Sequence, residues 1–384
     1  MRLSLLQSLQ ALRSQLDPLN SKAQRLGRRT ALRSIALAVA SGLSVLALSP
    51  TSTNAASARL GNPSPQNQPL QISQNKPVEI TLVTYAVTRA AYDKIIPLFV
   101  EKWKREQGQE VVINASYGGS GSQTRAVLDG LEADVVALAL AADTKRLEKG
   151  GLINPGWESE APNNAIVTRS VIAFVTRQGN PKAVRNWPDL LKPEVNIITA
   201  NPKTSGVARW NFLGLWGSVT HTGGSEEQAL DYVRQVYRKV PVLPKDARES
   251  SDVFFRANQG DVLLNYENEV ILAGLQGQQS LFYVVPQTNI SIDTPVAVVD
   301  KIVDRRGTRA VSEAFVKFLF TPEAQREFAK VGFRPVEPGV VREFENKFPK
   351  VNKLYTVNDF GGWDAVNKKF FDEGAIFDQI YTNR

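Results

Sequence analysis

Cysteine is absent from the 384 residues of this chain, and histidine occurs once. Without thiols there is no disulfide framework, no thiolate metal site, no cysteine nucleophile and no lipid on an amino-terminal cysteine. The lone His221, in the polar stretch THTGG, cannot assemble a histidine-based zinc site and reads as a solvated loop residue. A serine, histidine and acid triad would need that same residue, and the chain has no G-x-S-x-G elbow. Long apolar runs are scarce too. The most conspicuous, IALAVASGLSVLAL from Ile35 to Leu48, has 14 residues diluted by Ser41, Gly42 and Ser44. A bilayer span takes about 20, so a membrane anchor is disfavoured.

The flanks of that run explain it. A basic stretch ending at Arg33 precedes it, and Pro50 and the small residues NAASA follow, the pattern of a secretory signal with Ala56 and Ala58 as recognition pair. Residues 1–58 are expected to be a signal peptide, cleaved on export to a bacterial periplasm. Arg28 and Arg29, followed by Leu32 and Arg33, leave twin-arginine export open beside the general route. The leader holds seven of the 46 basic side chains and one of the 38 acidic ones, so its removal lowers the net charge from +8 to +2. No basic stripe interleaved with aromatics remains, and nucleic acid is not an expected partner. Residues 59–76, RLGNPSPQNQPLQISQNK, lack apolar periodicity and read as a flexible linker. About 326 residues follow the leader, enough for two lobes with cores of their own.

Beyond the linker, strand-like and helix-like runs alternate. VEITLVTY (from Val78), EVVINASY (from Glu110), DVVALAL (from Asp134), SVIAFVT (from Ser170), VNIIT (from Val195), DVLLNY (from Asp261), LFYVV (from Leu281) and PVAVV (from Pro295) are short, β-branched and mostly apolar. Strands of a parallel sheet, buried on both faces, have this composition. Tyr92, Ile95, Ile96, Phe99 and Trp103 recur at helical spacing, as do Phe315, Phe318 and Leu319. The alternation predicts an open α/β architecture without internal repeats. Sites in such folds lie where carboxyl ends of strands meet helix amino termini. Five loops fall at such junctions: TYAVTR, SYGGSGSQT, NPKTSGVAR, KDARESS and the Tyr266 region. Their separation along the chain suggests a cleft assembled from two lobes.

NPKTSGVAR, Asn201 to Arg209, is the most informative of them. Pro202 helps stop the preceding strand, Ser205 has the side chain of an N-cap, and the following amides lack intrahelical partners. Orphan donors at the positive end of a helix dipole favour a small anion. SYGGSGSQT lacks the Gly-Lys-Ser/Thr ending of a P-loop. It starts a G-x-G-x-x-G pattern at Gly119 and Gly121, but Thr124 replaces the third glycine, and Asp143 mimics a ribose-binding acid. A dinucleotide-dependent secreted enzyme is therefore the rival from a different class, and an ordinary glycine-rich turn remains open. Trp187, Trp210, Trp216 and Trp363 could stack on sugars but more often serve as core or interface anchors. Tyr266, in NYENE near a strand end, reads either as a core-edge residue or as a hydroxyl donor.

At NPKTSGVAR, followed by Trp210 and Asn211, the chain resembles the prokaryotic sulfate-binding proteins of periplasmic transport systems. The likeness extends through TYAVTRAAYD, SYGGSGSQT, LEADVVALALAADT, GNPKAVRNWPDLLKP, GDVLLNYENE and FGGWDAVNKKFFDEGAIFDQI, nearly all of the mature protein. It implies a two-lobed type II periplasmic-binding fold, each lobe an open sheet flanked by helices, with the ligand in the interlobe cleft. It further implies delivery to the permease subunits of an ABC transporter, no catalysis and no cofactor. Carried over residue by residue, sulfate would be held by backbone N–H groups at Ala86, Ser120, Gly206, Val207 and Ala247 and by the hydroxyl of Ser205. Ala86 stands where relatives carry aspartate, though the contact there is a main-chain one. Val207 replaces a glycine and keeps its donor if its φ is ordinary. Tyr266 occupies the position of an indole donor, and its hydroxyl can accept as well as donate.

The expected layout is lobe I at 77–166 and 268–330, lobe II at 167–267, and a C-terminal helical segment at 331–384 packed on both. The expected function is capture of sulfate by a monomeric receptor, with thiosulfate as runner-up and another tetrahedral oxyanion such as molybdate behind it.

Overall fold

VEITLVTY folds as β1 (Val78–Tyr85), the first strand of a computed structural model that describes residues 77–277 and 282–382. The expected signal peptide and linker lie outside the described residues. The chain continues through α1 (Arg89–Gln107), β2 (Val111–Gly118), α2 (Ser120–Leu128), β3 (Val135–Ala137), α3 (Ala141–Lys149) and β4 (Ile166–Ser170). Strands β2 and β3 run parallel to β1 on either side, a pairing that needs the crossovers α1 and α2. Helix α1 buries Ala91, Tyr92, Ile95 and Phe99, the apolar stripe of its helical period. It ends at Gly108, whose left-handed φ of +63° lets its N–H reach Lys104 O.

Next come β5 (Ile172–Thr176), β6 (Ile197–Ile198), α4 (Gly206–Thr220), α5 (Glu226–Arg238), α6 (Ala247–Phe255), β7 (Val262–Tyr266), α7 (Glu267–Leu275) and β8 (Phe282–Val284). These strands form a second sheet in the order β6-β7-β5-β8. The chain then makes β9 (Thr288–Ile290) and β10 (Ile292–Val298), which returns to the first sheet and completes the order β2-β1-β3-β10-β4. Helices α8 (Asp300–Arg306), α9 (Arg309–Phe318) and α10 (Pro322–Lys330) follow, and Phe315 and Phe318 of α9 pack on Phe99 of α1 at 5.1 and 5.6 Å.

Two expectations are corrected. The sheets are mixed rather than parallel: β10 runs antiparallel to β3 and β4, and β5 antiparallel to β7 and β8. All five residues of both β5 and β7 are buried, and burial on both faces is what an apolar run encodes, whatever its direction. The crossings between sheets also move. Because β4 pairs with β10 and β8 with β5, the chain leaves the first sheet at Val171, not at 166/167, and returns at Ser291, not at 267/268. The pairing of Ile292 with Ser170 sets the two crossings side by side.

The stretch after α10 forms β11 (Lys353–Tyr355), parallel to β9, and the short helices Gly362–Val366 and Ile376–Thr382. Phe370, Phe371 and Phe377 close around Phe212 of α4 at 5.4, 5.3 and 6.3 Å. Tyr355 donates its hydroxyl to Gly214 O at 2.9 Å. Helix α4 is thus walled in, with 12 residues buried, which explains why it lacks the polar face of a surface helix.

Candidate functional site

The residues singled out from sequence fall at helical amino termini, and local chemistry explains each. Ala86 opens a one-turn 3-10 helix directly after β1 that runs into α1. Ser120 is the first residue of α2, Gly206 and Val207 the first two of α4, and Ala247 the first of α6. Tyr266 is the N-cap of α7. The first amides of each helix have no intrahelical acceptor, and the helix dipole places positive potential beside them.

Close packing brings most of these termini together. A Cβ built on Gly206 would lie 2.5 Å from Ala139 Cβ and 3.4 Å from Ser120 Cβ. One built on Gly119 would lie 2.7 Å from Thr204 O, 3.3 Å from Lys245 O and 3.6 Å from Asp246 Cβ. The SYGGSGSQT, NPKTSGVAR and KDARESS loops therefore meet at van der Waals distance, and only glycine permits it. The closure is bonded as well: Trp210 Nε1 donates to Ala139 O at 3.0 Å, Arg125 to Lys203 O at 3.3 Å and Thr204 Oγ1 to Lys245 O at 2.7 Å. A cavity of about 790 Å³ opens beside this junction, lined by Ala86, Gly118, Gly119, Lys245 and Asp246 among others. Of the seven candidate residues only Ala86 lines that cavity; Ser120, Ser205, Gly206, Val207, Ala247 and Tyr266 lie behind its wall, and the ring of Tyr266 is 6.0 Å from that of Tyr85, the residue before Ala86.

The hydroxyls divide into spent and unspent. Ser120 Oγ donates to Asp143 Oδ2 at 2.6 Å and accepts from Ala139 N at 3.0 Å, so its single proton is committed and only its backbone N–H remains for a ligand. Ser205 is the N-cap of α4, but its side chain makes no capping bond. Asp246, by contrast, caps α6 by accepting from Glu249 N at 2.9 Å. Tyr266 is 2% exposed and its hydroxyl has no partner. Burial holds its pKa well above the ordinary value, with Tyr85, Asp143 and Glu269 adding in the same direction, so it stays a donor at neutral pH. Val207 has no positive φ, which leaves its amide in normal helical geometry.

Two arginines near the junction have acidic neighbours. Arg209 lies 3.9 Å from Asp143 and donates to Pro202 O at 3.0 Å, while Arg248 donates to Glu269 at 2.9 Å. Burial raises the Glu269 carboxyl to about 7, against the opposing pull of Arg248 and Ser251. An anion at this junction would meet helix dipoles and hydroxyls, with Arg89 and Lys245 in the wall of the adjoining cavity.

Other sequence readings resolve here. Asp143 lies within α3, where it is buried and accepts from Ser120 through Oδ2, so it is not the exposed strand-end acid that a ribose would need. His221 is not a solvated loop residue: it caps the end of α4, stacks on Tyr355 at 4.4 Å and has its pKa lowered by burial. Aromatic packing from the C-terminal stretch, 130 residues away, covers it. Trp187, Trp210, Trp216 and Trp363 are all buried and anchor the core. Among the described residues, no group of three or more acidic, histidine or cysteine side chains could hold a metal. Sequence reasoning missed Asn265, which bonds both Ala247 O and Tyr266 N; an asparagine inside an apolar strand was the available signal.

Comparison with known proteins places the chain in a family. A family described as bacterial extracellular solute-binding protein matches residues 80–334. The sulfate-binding protein of Synechococcus elongatus is 57% identical over 354 residues, covering 92% of this chain and 96% of that relative. That of Synechocystis sp. is 61% identical over 307 residues, 80% of this chain and 87% of the relative. The solved sulfate-binding protein of Mycobacterium tuberculosis is 38% identical with a TM-score of 0.71, covering 77% of this chain and 100% of that one.

Proposed function

Because the chain belongs to the bacterial extracellular solute-binding proteins and, within them, to the sulfate-binding proteins, we propose that it captures sulfate outside the cytoplasm and hands it to an ABC importer. The observation that carries this reading is the meeting of the α2, α4 and α6 amino termini at the Gly119, Gly206 and Lys245 contacts. The donors are the backbone N–H groups of Ala86, Ser120, Gly206, Val207 and Ala247 and the hydroxyls of Ser205 and Tyr266. Sulfate is a dianion at neutral pH whose oxygens all accept. The backbone donors therefore match it without a proton changing hands, and the site binds rather than catalyses.

Hydrogen bonds to a charged group contribute about 1.5 to 3 kcal/mol each, so seven give roughly 10 to 20 kcal/mol before costs. Lost ligand motion and lobe closure consume several of these, which leaves a constant in the micromolar range or tighter. The receptor works as a periplasmic monomer, and the closed lobes present the surface that the permease subunits read. Calorimetric titration of the mature protein with sulfate, thiosulfate, phosphate and molybdate tests the reading. Sulfate should bind tightly and phosphate weakly, because phosphate keeps a proton near neutral pH that backbone donors cannot accept. Failure of both sulfur anions to bind refutes it.

A further inference from the structure

We propose that Asn265 is a positioning residue for anion capture, one carboxamide that fixes the first turn of α6 against the β7–α7 junction so that Ala247 and Tyr266 act on the same ion. Asn265 is fully buried in β7, where its neighbours Val262, Leu263 and Leu264 are apolar. Its Nδ2 donates to Ala247 O at 3.0 Å and to Ser251 Oγ at 3.0 Å, and its Oδ1 accepts from Tyr266 N at 2.8 Å. The side chain therefore holds, directly and on opposite ends of one planar group, two of the residues placed at the anion.

The sheet itself does not need this amide. β7 is already laddered to β5 from Val262 to Tyr266 and to β6 at Val262 and Leu263. A leucine has nearly the same shape, and a buried amide costs free energy unless its bonds are made. What the amide adds is a directional polar link at the first turn of α6, beyond the apolar cluster of Phe254, Leu263 and Val270 that packs the same elements. Helix α6 reaches α7 by one other polar route, Ser251 and Arg248 to Glu269 at 3.2 and 2.9 Å. Ser251 also reaches Ala247 O at 3.2 Å, but that route ends at the third position of α7 and does not touch Tyr266. Donor geometry at an anion is steep in distance and angle, so a small shift of the α6 first turn misaims its N–H while the fold survives.

The inference rests on the sulfate reading, and one set of measurements separates the two. Sulfate and the larger tetrahedral dianion selenate are titrated into the mature wild-type protein, Asn265→Leu and Asn265→Asp, with release rates by stopped flow and melting of the ligand-free proteins alongside. Asn265→Asp keeps the acceptor for Tyr266 N, loses the donor to Ala247 O and adds a negative charge that weakens sulfate and selenate alike, so its change in preference carries the comparison if the leucine variant does not fold. Sulfate affinity should fall tenfold or more, mainly through faster release, and the sulfate-to-selenate preference should shrink with it. A purely structural asparagine would lower the melting temperature and weaken both anions in equal proportion, and that result overturns the proposal. So does a folded variant that binds sulfate within twofold of wild type. A wild-type protein that binds neither anion overturns the functional reading itself, and the positioning role with it.

Discussion

Glu269 should make the folded protein less stable as the pH rises through the neutral range. The carboxyl is 4% exposed and faces Arg248, Ser251, Asp246 and Asp252 from α6, with burial as the largest influence. Its folded-state pKa of about 7 compares with 4.5 for the free side chain. Between these values the folded chain binds a proton that the unfolded chain has lost, so stability falls as pH rises. Below the lower value both states are protonated and the penalty is absent; above the higher one it is complete. The difference, at about 1.4 kcal/mol per pH unit, amounts to about 3 kcal/mol. Glu269→Gln keeps the shape and the contact with Ser251 but cannot ionise. Urea unfolding of both proteins at pH 4.5, 5.5, 6.5 and 7.5 isolates this group, since all other titrations cancel in the difference. The variant should gain about 3 kcal/mol on wild type across the series. A difference that stays constant with pH would mean that Glu269 does not titrate in this window, and the burial argument would fail.

Ser205→Ala should weaken sulfate binding by about 1 to 3 kcal/mol in a calorimetric titration, because the hydroxyl left uncommitted by α4 is lost; unchanged affinity would remove Ser205 from the site. Gly206→Ala forces a methyl to 2.5 Å from Ala139 Cβ. It should lower sulfate affinity at least tenfold while leaving secondary structure by circular dichroism intact; wild-type affinity would show that the two loops need not approach so closely. Arg334→Ala strips the paired guanidinium from Glu267, which is fully buried and bonded at 2.7 and 2.9 Å. Unfolding in urea should show a loss of about 3 to 5 kcal/mol, and a loss below 1 would mean that water reaches the carboxylate.

The legible part of the fold was whatever burial writes into composition. VEITLVTY and DVLLNY read as strands because neighbours on both faces are apolar, and the Phe315–Leu319 spacing as a helix because one stripe is. Strand direction leaves no such mark. SVIAFVT reads as one strand, yet Ser170 closes β4, Val171 makes the crossing and Ile172 opens β5: the pivot lies within an unbroken apolar run, with no glycine or proline to announce it. β4 itself is interrupted by Thr168 and Arg169, and β9 and β11 have three residues each, too few for a period to register. At the site, helix starts were readable from Ser205 and the glycines, as local chemistry usually is. Their convergence was not, nor was the expenditure of the Ser120 hydroxyl on Asp143 or the grip of Asn265 on two loops, since each joins residues that only the tertiary fold makes neighbours.

Strand β10 lies between β3 and β4 and is the strand that ties β4 into the sheet. It is made after every strand of the second sheet has been synthesised, so β4 waits more than a hundred residues for its partner. The second half waits longer still, because Phe370, Phe371 and Phe377 complete the aromatic packing around Phe212. Neither half can finish from its own early residues. Contacts this distant in sequence slow folding, and a nascent chain stopped short of β10 holds two incomplete cores.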